Sequence, residues 1–243
     1  MLTSNGDLNA IGQPIGSPLP NWQERRRPPR SSMVGRCGRL EILDPDAHSH
    51  DLWQAFSIAQ NDGNWTYLPY AFTTFGEFEA WIRNDCIHDD PLFHVIVDST
   101  TRKPVGLASY LRIEPKVGVI EVGHIHYAPS LQKTTLATEA MFLMMSRVFD
   151  ELGYRRYEWK CDSLNVPSRN AALRLGFTFE GIFRQATVYK SRNRDTAWFS
   201  VTDSDWPSLK AAHLAWLKPE NHDENNNQRQ QLSHFVKAAS KKR

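Results

Sequence analysis

The chain has 243 residues, enough for one sizeable domain with extensions at its ends. It is 40% hydrophobic and 23% charged with a formal net charge of +2, an ordinary globular composition that argues against a polybasic nucleic-acid binder. Cys37, Cys86 and Cys161 are odd in number and widely spaced, which reads as reduced thiols and excludes a disulfide framework or a zinc site.

Residues 1–36 read as a basic arm rich in Pro and Gly, with Arg25-Arg26-Arg27 and Arg30, either solvated or strapped onto the domain. A strand is expected at Arg39–Leu43 and a helix over Ala47–Gln60, where Leu52, Trp53, Phe56 and Ala59 recur at helical spacing. Trp65-Thr66-Tyr67-Leu68-Pro69-Tyr70 forms an aromatic loop, and Phe75–Ile87 a second helix. Leu92–Val97 and Val105–Ile113 read as a hairpin, followed by a strand over Val117–Tyr127. The longest purely apolar run, around Ala140–Met145, is too short to span a bilayer.

Thr135–Leu152 carries Leu136, Ala140, Met141, Met144, Val148 and Leu152 along one stripe, with Glu139, Arg147, Asp150 and Glu151 on the other side, and Gly153 as its stop. A strand at Arg156–Cys161, a short helix at 166–175 closed by Gly176, and strands at Phe177–Gly181 and Thr187–Thr202 complete the domain. The helical crossover makes the strands ending at Tyr127 and Cys161 parallel, whereas the short connections before it are antiparallel. The expected fold is therefore α/β, a mixed and mostly antiparallel twisted sheet with helices on both faces. The divisions are 1–36 for the arm, 37–204 for the domain, and 205–243 for a helical extension and tail. Within the last, a helix starts at Asp205, residues 221–231 are loose, and Leu232–Ser240 forms a short surface helix.

The junction Gln132-Lys133-Thr134-Thr135-Leu136-Ala137-Thr138 leads from a strand into a helix whose first amides lack internal acceptors, a device for holding phosphate. As an ordinary capped helix it would use Thr134 or Thr135 as N-cap. Farther on, Asn165 and Ser168 precede Gly176-Phe177 by fixed offsets, and plain capping also suits both residue types. Together these features resemble the GNAT superfamily of acyl-CoA N-acyltransferases, and within it the ribosomal-protein-alanine acetyltransferase branch, across roughly residues 39–204.

The resemblance implies acetyl-CoA as co-substrate and no metal. It places the pyrophosphate on residues 132–138 with Tyr127 beside them, and the pantetheine on Asn165. Two departures stand out: Thr135 replaces the family's central Gly, and Ala172 replaces a Tyr that serves many relatives as proton donor, which leaves Ser168 for that role. Glu121, in Glu121-Val122-Gly123-His124, matches the family's carboxylate and is the first choice for base, with His124 and His126 next. Strand alternation puts Glu121 and the histidines on opposite faces unless a bulge intervenes near Gly123. An oxyanion would meet a main-chain N–H near Tyr127-Ala128.

Trp65, Tyr67 and Tyr70 either line the acceptor slot or cover the core, and Phe183, Arg184 and Gln185 would form the opposite wall. The expected reaction moves an acetyl group to a primary amine, a protein N-terminus or a small molecule, by direct attack in a ternary complex. The alternative is an acyl-CoA-binding sensor without catalysis. Expected partners are the amine acceptor and, left open, a second copy of the chain; neither membrane nor nucleic acid is expected, although the arm keeps an RNA-anchor reading open. No signal peptide is legible, so the expected location is the cytoplasm.

Overall fold

The computed structural model describes residues 7–57, 62–224 and 227–240. Near the start, Asp7–Leu8 (β1) and Pro14–Ile15 (β2) form a small antiparallel ribbon. Met33–Val34 (β3) then begins the main sheet, which continues with Gly38–Ile42 (β4), Leu92–Asp98 (β5), Pro104–Glu114 (β6), Val119–Tyr127 (β7), Arg156–Asp162 (β8), Thr178–Tyr189 (β9) and Arg192–Thr202 (β10). The spatial order is β3-β4-β5-β6-β7-β8-β10-β9, antiparallel everywhere except between β7 and β8. The helices are Pro45–Ser57 (α1), Phe75–Asp85 (α2), Thr135–Ser146 (α3), Val166–Leu175 (α4), Trp206–Leu217 (α5) and Leu232–Ser240 (α6). The mixed, mostly antiparallel α/β sheet is the one expected. The helix expected over Ala47–Gln60 is described to Ser57, and residues 58–60 lie outside the described segments.

Alternation along the strands sends side chains into two cores. One face carries Leu107, Phe93, Val95 and Val97 against α1 and α2, through Leu52, Phe56, Phe78 and Ile82. The other carries Tyr110, Ile120, Val122, Tyr157 and Trp159 against α3 and α5, through Met141, Met144, Trp206 and Leu209. Helices α1 and α2 cover only the β4–β7 half of their face. Over β8, β10 and β9 that face instead presents Glu158, Lys160, Ser200 and Trp198.

Glu139 of α3 and Arg147 just after it correct the expected polar side. Glu139 is 5% exposed, and its carboxylate accepts the backbone N–H groups of Arg36 (2.9 Å), Cys37 (2.7 Å) and Gly38 (3.2 Å). Arg147 is also buried and donates to the carbonyls of Ser31 (2.7 Å) and Ser32 (2.9 Å). The helix is covered on that side by the chain entering the domain, which a helical-wheel argument cannot see. The helix also ends sooner than expected as an α-helix, because Arg147–Glu151 forms a π-helical turn.

Residues 22–36 lie against the domain. Trp22 donates its indole N–H to the Lys116 carbonyl at 2.8 Å and is flanked by the guanidinium groups of Arg25 and Arg155. Arg27 and Arg30 pair with Asp90 and Asp89. Part of the arm's positive charge is thus answered within the chain.

At the other end of the sheet, the expected break between Gly181 and Thr187 is absent, and β9 runs through to Tyr189. The turn lies at Lys190 and Ser191, whose φ values of 47° and 56° are those of a two-residue hairpin turn. Neither residue is the Gly, Asn or Asp that usually marks such a turn, so the sequence concealed it.

Candidate active site

Strands β7 and β8 pair only where Val119–Val122 meets Arg156–Trp159, and beyond that point they separate although both continue. Parallel strands that part in mid-sheet open a cleft lined by backbone, with α3 and α4 at its mouth. Within the same stretch β7 carries a bulge. Leu107 pairs with His126 and Ser109 with Gly123, so one residue of β6 spans two of β7, and His124 takes φ 49°. The extra residue reverses the alternation. Glu121, His124 and His126 consequently share the face that α1 and α2 cover, as the bulge expectation required.

Glu121 is 3% exposed. Its Oε2 accepts from Arg112 at 2.6 Å and Lys160 at 2.9 Å, leaving Oε1 on the side of Gly123. His124 Nδ1 lies 2.8 Å from the Tyr70 hydroxyl, so in either tautomer only Nε2 remains for chemistry. Burial, with Arg112 adding to it, pushes the His124 pKa down to about 4. His126 is stacked on Trp65 at 4.0 Å and set edge-on to Phe56, and burial lowers its pKa to about 3. His126 is thus a core histidine placed behind the site.

The three loop aromatics divide in the same way. Trp65 is buried against Phe56, Phe72 and His126 and serves as core. Tyr70 reaches His124, while Tyr67 donates to the Leu164 carbonyl at 3.2 Å, just before α4. Across from them, the β9–β10 turn closes the same side: Lys190 donates to the Trp65 carbonyl at 2.6 Å and Tyr189 to Asp162 at 2.9 Å. Phe183, Arg184 and Gln185 border an open groove of about 840 Å³ beside Trp198.

At the strand–helix junction, Thr134 is the N-cap of α3, and its hydroxyl accepts the Ala137 N–H at 3.1 Å. Thr135 is the first helical residue and buried, so it needs no positive φ. The left-handed position falls on Lys133, at φ 61°, which is exposed. Gln132 donates from its side chain to the Tyr127 carbonyl at 3.2 Å, bracing the turn against the end of β7. Leu136 points into the core, and Thr138 is buried, accepting from Arg174 of α4 at 2.9 Å. Of residues 132–138, Thr135, Leu136 and Thr138 are therefore buried. The amides of Gln132, Thr134 and Ala137 are bonded inside the turn, so the junction offers the positive end of α3 and the Lys133 ammonium, an electropositive setting that fits a pyrophosphate.

Asn165 caps α4 by accepting the Ser168 N–H at 3.1 Å, leaving its amide NH2 for a further acceptor. The Ser168 hydroxyl accepts the Trp159 indole N–H at 3.0 Å. An indole only donates, so this contact occupies an oxygen lone pair and keeps the serine's own proton for a neighbour. That neighbour here is the Cys161 thiol, whose pKa is raised by burial and eased by the serine contact. Ala172 is wholly buried in the core that α4 shares with the sheet.

Of the two residues expected beside the oxyanion, Tyr127 and Ala128, one is corrected. The Ala128 N–H donates to the Val105 carbonyl at 3.0 Å and is not offered to an oxyanion. Three participants also escaped the sequence reading: Arg112, Lys160 and Trp159. For Lys160 a signal existed, because Arg156, Glu158, Lys160 and Asp162 place a charge at every second residue of a strand and so mark one polar face. Arg112 carried none, since it reaches Glu121 from the irregular end of β6 at φ 47°.

Residues 39–178 match the family model for an acetyltransferase (GNAT) domain, and the chain belongs to that family of N-acetyltransferases. The chain is similar to a GCN5-related N-acetyltransferase from Brucella melitensis, with 48% identity, coverage of 90% of this chain and 100% of that one, and a TM-score of 0.88. It is also similar to a probable acetyltransferase of the GNAT family from Chromobacterium violaceum, with 38% identity, coverage of 80% and 98%, and a TM-score of 0.75. The microcin C7 self-immunity acetyltransferase MccE, solved with acetyl-CoA and AMP, shares the fold at 21% identity, 69% and 93% coverage and a TM-score of 0.59. No curated protein matches the chain. Among the described residues no helix is long and apolar enough to cross a membrane, and no three His, Cys, Asp or Glu side chains are grouped to hold a metal.

Proposed function

We propose that this N-acetyltransferase moves the acetyl group of acetyl-CoA to a primary amine by direct attack in a ternary complex. The observation that carries the reading is the parting of β7 and β8, with Glu121 on one side of the opening and Ser168 on the other. Acetyl-CoA supplies an activated thioester carbonyl and a thiolate leaving group. The positive N-terminal end of α3 within the 132–138 segment, with Lys133, binds its pyrophosphate, and the Asn165 amide bonds to the pantetheine.

The incoming ammonium must lose a proton before it can attack, and Glu121 Oε1 takes it, directly or through a water. The departing thiolate takes the proton of Ser168, whose oxygen is already oriented by Trp159, and the serine is reprotonated by the second proton that the nitrogen sheds as the tetrahedral adduct collapses to the amide. His124 acts at most through Nε2, because Tyr70 holds Nδ1. The resemblance to the ribosomal-protein branch favours a protein N-terminal amine over a small amine, and Tyr67, Tyr70 and the β9–β10 turn bound the space it would enter.

Release of CoA from acetyl-CoA, followed across a panel of N-terminal peptides and small amines, tests the proposal. Turnover with one acceptor class and a fall of about 100-fold or more in kcat for Glu121→Gln is expected. Saturable acetyl-CoA binding without CoA release on any amine would replace the enzymatic reading with that of a binding module. Undiminished kcat in Glu121→Gln would remove the role given to Glu121.

A further inference from the structure

Lys160 is the first residue of β8 beyond its last pairing with β7, and its side chain is only 8% exposed. Its Nζ lies 2.9 Å from Glu121 Oε2, 2.7 Å from Glu158 Oε2 and 3.7 Å from the centre of the Trp198 ring. Phe183 stacks on the far side of Trp198 at 4.3 Å. The ammonium is thus held between two carboxylates and roofed by two aromatic layers. Glu121 and Glu158 are direct neighbours across the parallel pair, so without a cation between them two negative charges would share one buried face.

Such a triad is a poor way to gain stability. Desolvating several charges generally costs as much as their attraction returns, and apolar side chains of similar size do at least as well. Where a buried charge cluster abuts a cleft, function is the better account of its presence.

We propose that Lys160 is a positioning residue for acetyl transfer: by holding Oε2 of Glu121 at the point where β7 and β8 part, it turns Oε1 toward the acceptor amine. The proposal rests on the role given to Glu121 above. Other groups also face this carboxylate. Arg112 approaches from β6, Glu158 and Arg156 from β8, Glu180 from β9 through Arg156, and His124 with Tyr70 from the bulge and its loop. Ser200 and Trp198 of β10 are uncharged. Arg112 shares Oε2 with Lys160 but is exposed, so it cannot impose the same geometry once Lys160 is gone.

The test compares Lys160→Met, Lys160→Arg, Glu158→Gln and the double variant Lys160→Met/Glu158→Gln with Glu121→Gln in the full chain. Lys160→Met is expected to lower kcat about 100-fold, the loss typical of a misplaced reacting group, while KM for acetyl-CoA stays within about 3-fold. Its acidic limb of kcat should move to higher pH than in the parent, because a positive charge that favours the ionised carboxylate has been removed while Glu158 stays beside it. Glu158→Gln in that background should return the limb, and Lys160→Arg should recover most of the rate. If Glu121→Gln is impaired but Lys160→Met turns over normally, the positioning role is wrong and the Glu121 reading stands. A Lys160→Met variant whose kcat falls together with its melting temperature, with no movement of the limb, would make Lys160 a structural residue. Normal turnover in Glu121→Gln would overturn the underlying reading itself.

Discussion

Replacing Glu139 by Ala removes one carboxylate that satisfies three consecutive main-chain donors, those of Arg36, Cys37 and Gly38, at 2.7–3.2 Å. Hydrogen bonds to a charged group contribute about 1.5–3 kcal/mol each, and a buried donor left without a partner costs about 1–3 kcal/mol. Gly38 is fully enclosed but Arg36 is open to water, which re-solvates its N–H, so about 3 kcal/mol is expected for the whole substitution. For a chain of this size 1 kcal/mol moves the melting temperature by roughly 2–4 °C, giving a fall of about 6–12 °C by calorimetry.

A second perturbation checks the cause. A methyl group at Gly35 would sit 2.5 Å from Glu139 Oε2, so Gly35→Ala should displace the carboxylate and destabilise the parent while costing much less in the Glu139→Ala background. A drop under about 2 °C for Glu139→Ala, or strictly additive effects of the two substitutions, would refute the argument that this carboxylate anchors the entering chain to α3.

Ser168→Ala should lower kcat by about 10–100-fold with little change in KM for acetyl-CoA, read by CoA release, and an unchanged kcat would remove Ser168 as proton donor. Burial holds His126 at a pKa of about 3, whereas unfolded histidine titrates near 6.5. Between those values the unfolded chain binds the extra proton, so stability is full above about pH 6.5 and declines on acidification. His126→Phe, which keeps a ring between Trp65 and Phe56, should reduce that decline between pH 6.5 and 5 by up to ~1.4 kcal/mol per pH unit in denaturant titrations. Lys133→Gly relieves a left-handed residue and should stabilise the fold by roughly 1 kcal/mol in the same titrations, yet weaken acetyl-CoA binding in calorimetry. Unweakened binding would show that the Lys133 charge does not reach the phosphates.

Much of the sheet could be read in advance because β5, β6 and β7 are rich in strand-forming residues and joined by short turns, and because the helical crossover between β7 and β8 makes that pair parallel. The bulge near Gly123 was legible as a possibility, since Glu121 and two histidines could share a face in no other way. The turn at Lys190-Ser191 was not, because its residues lack the usual backbone preference and adopt the turn under the constraint of the paired strands.

For the site, residue identity and offset in the chain pointed to Glu121, Asn165 and Ser168, whose spacing along a strand and a helix is local information. Tertiary structure alone decided the rest. It buried Glu139 and Arg147 beneath the entering chain, sent Trp65 and His126 into the core and brought Tyr70 to His124. It also set Lys160 and Arg112 on a single carboxylate oxygen. Local patterns report which face of an element a residue occupies; what covers that face depends on segments tens of residues away, and only folding brings them together.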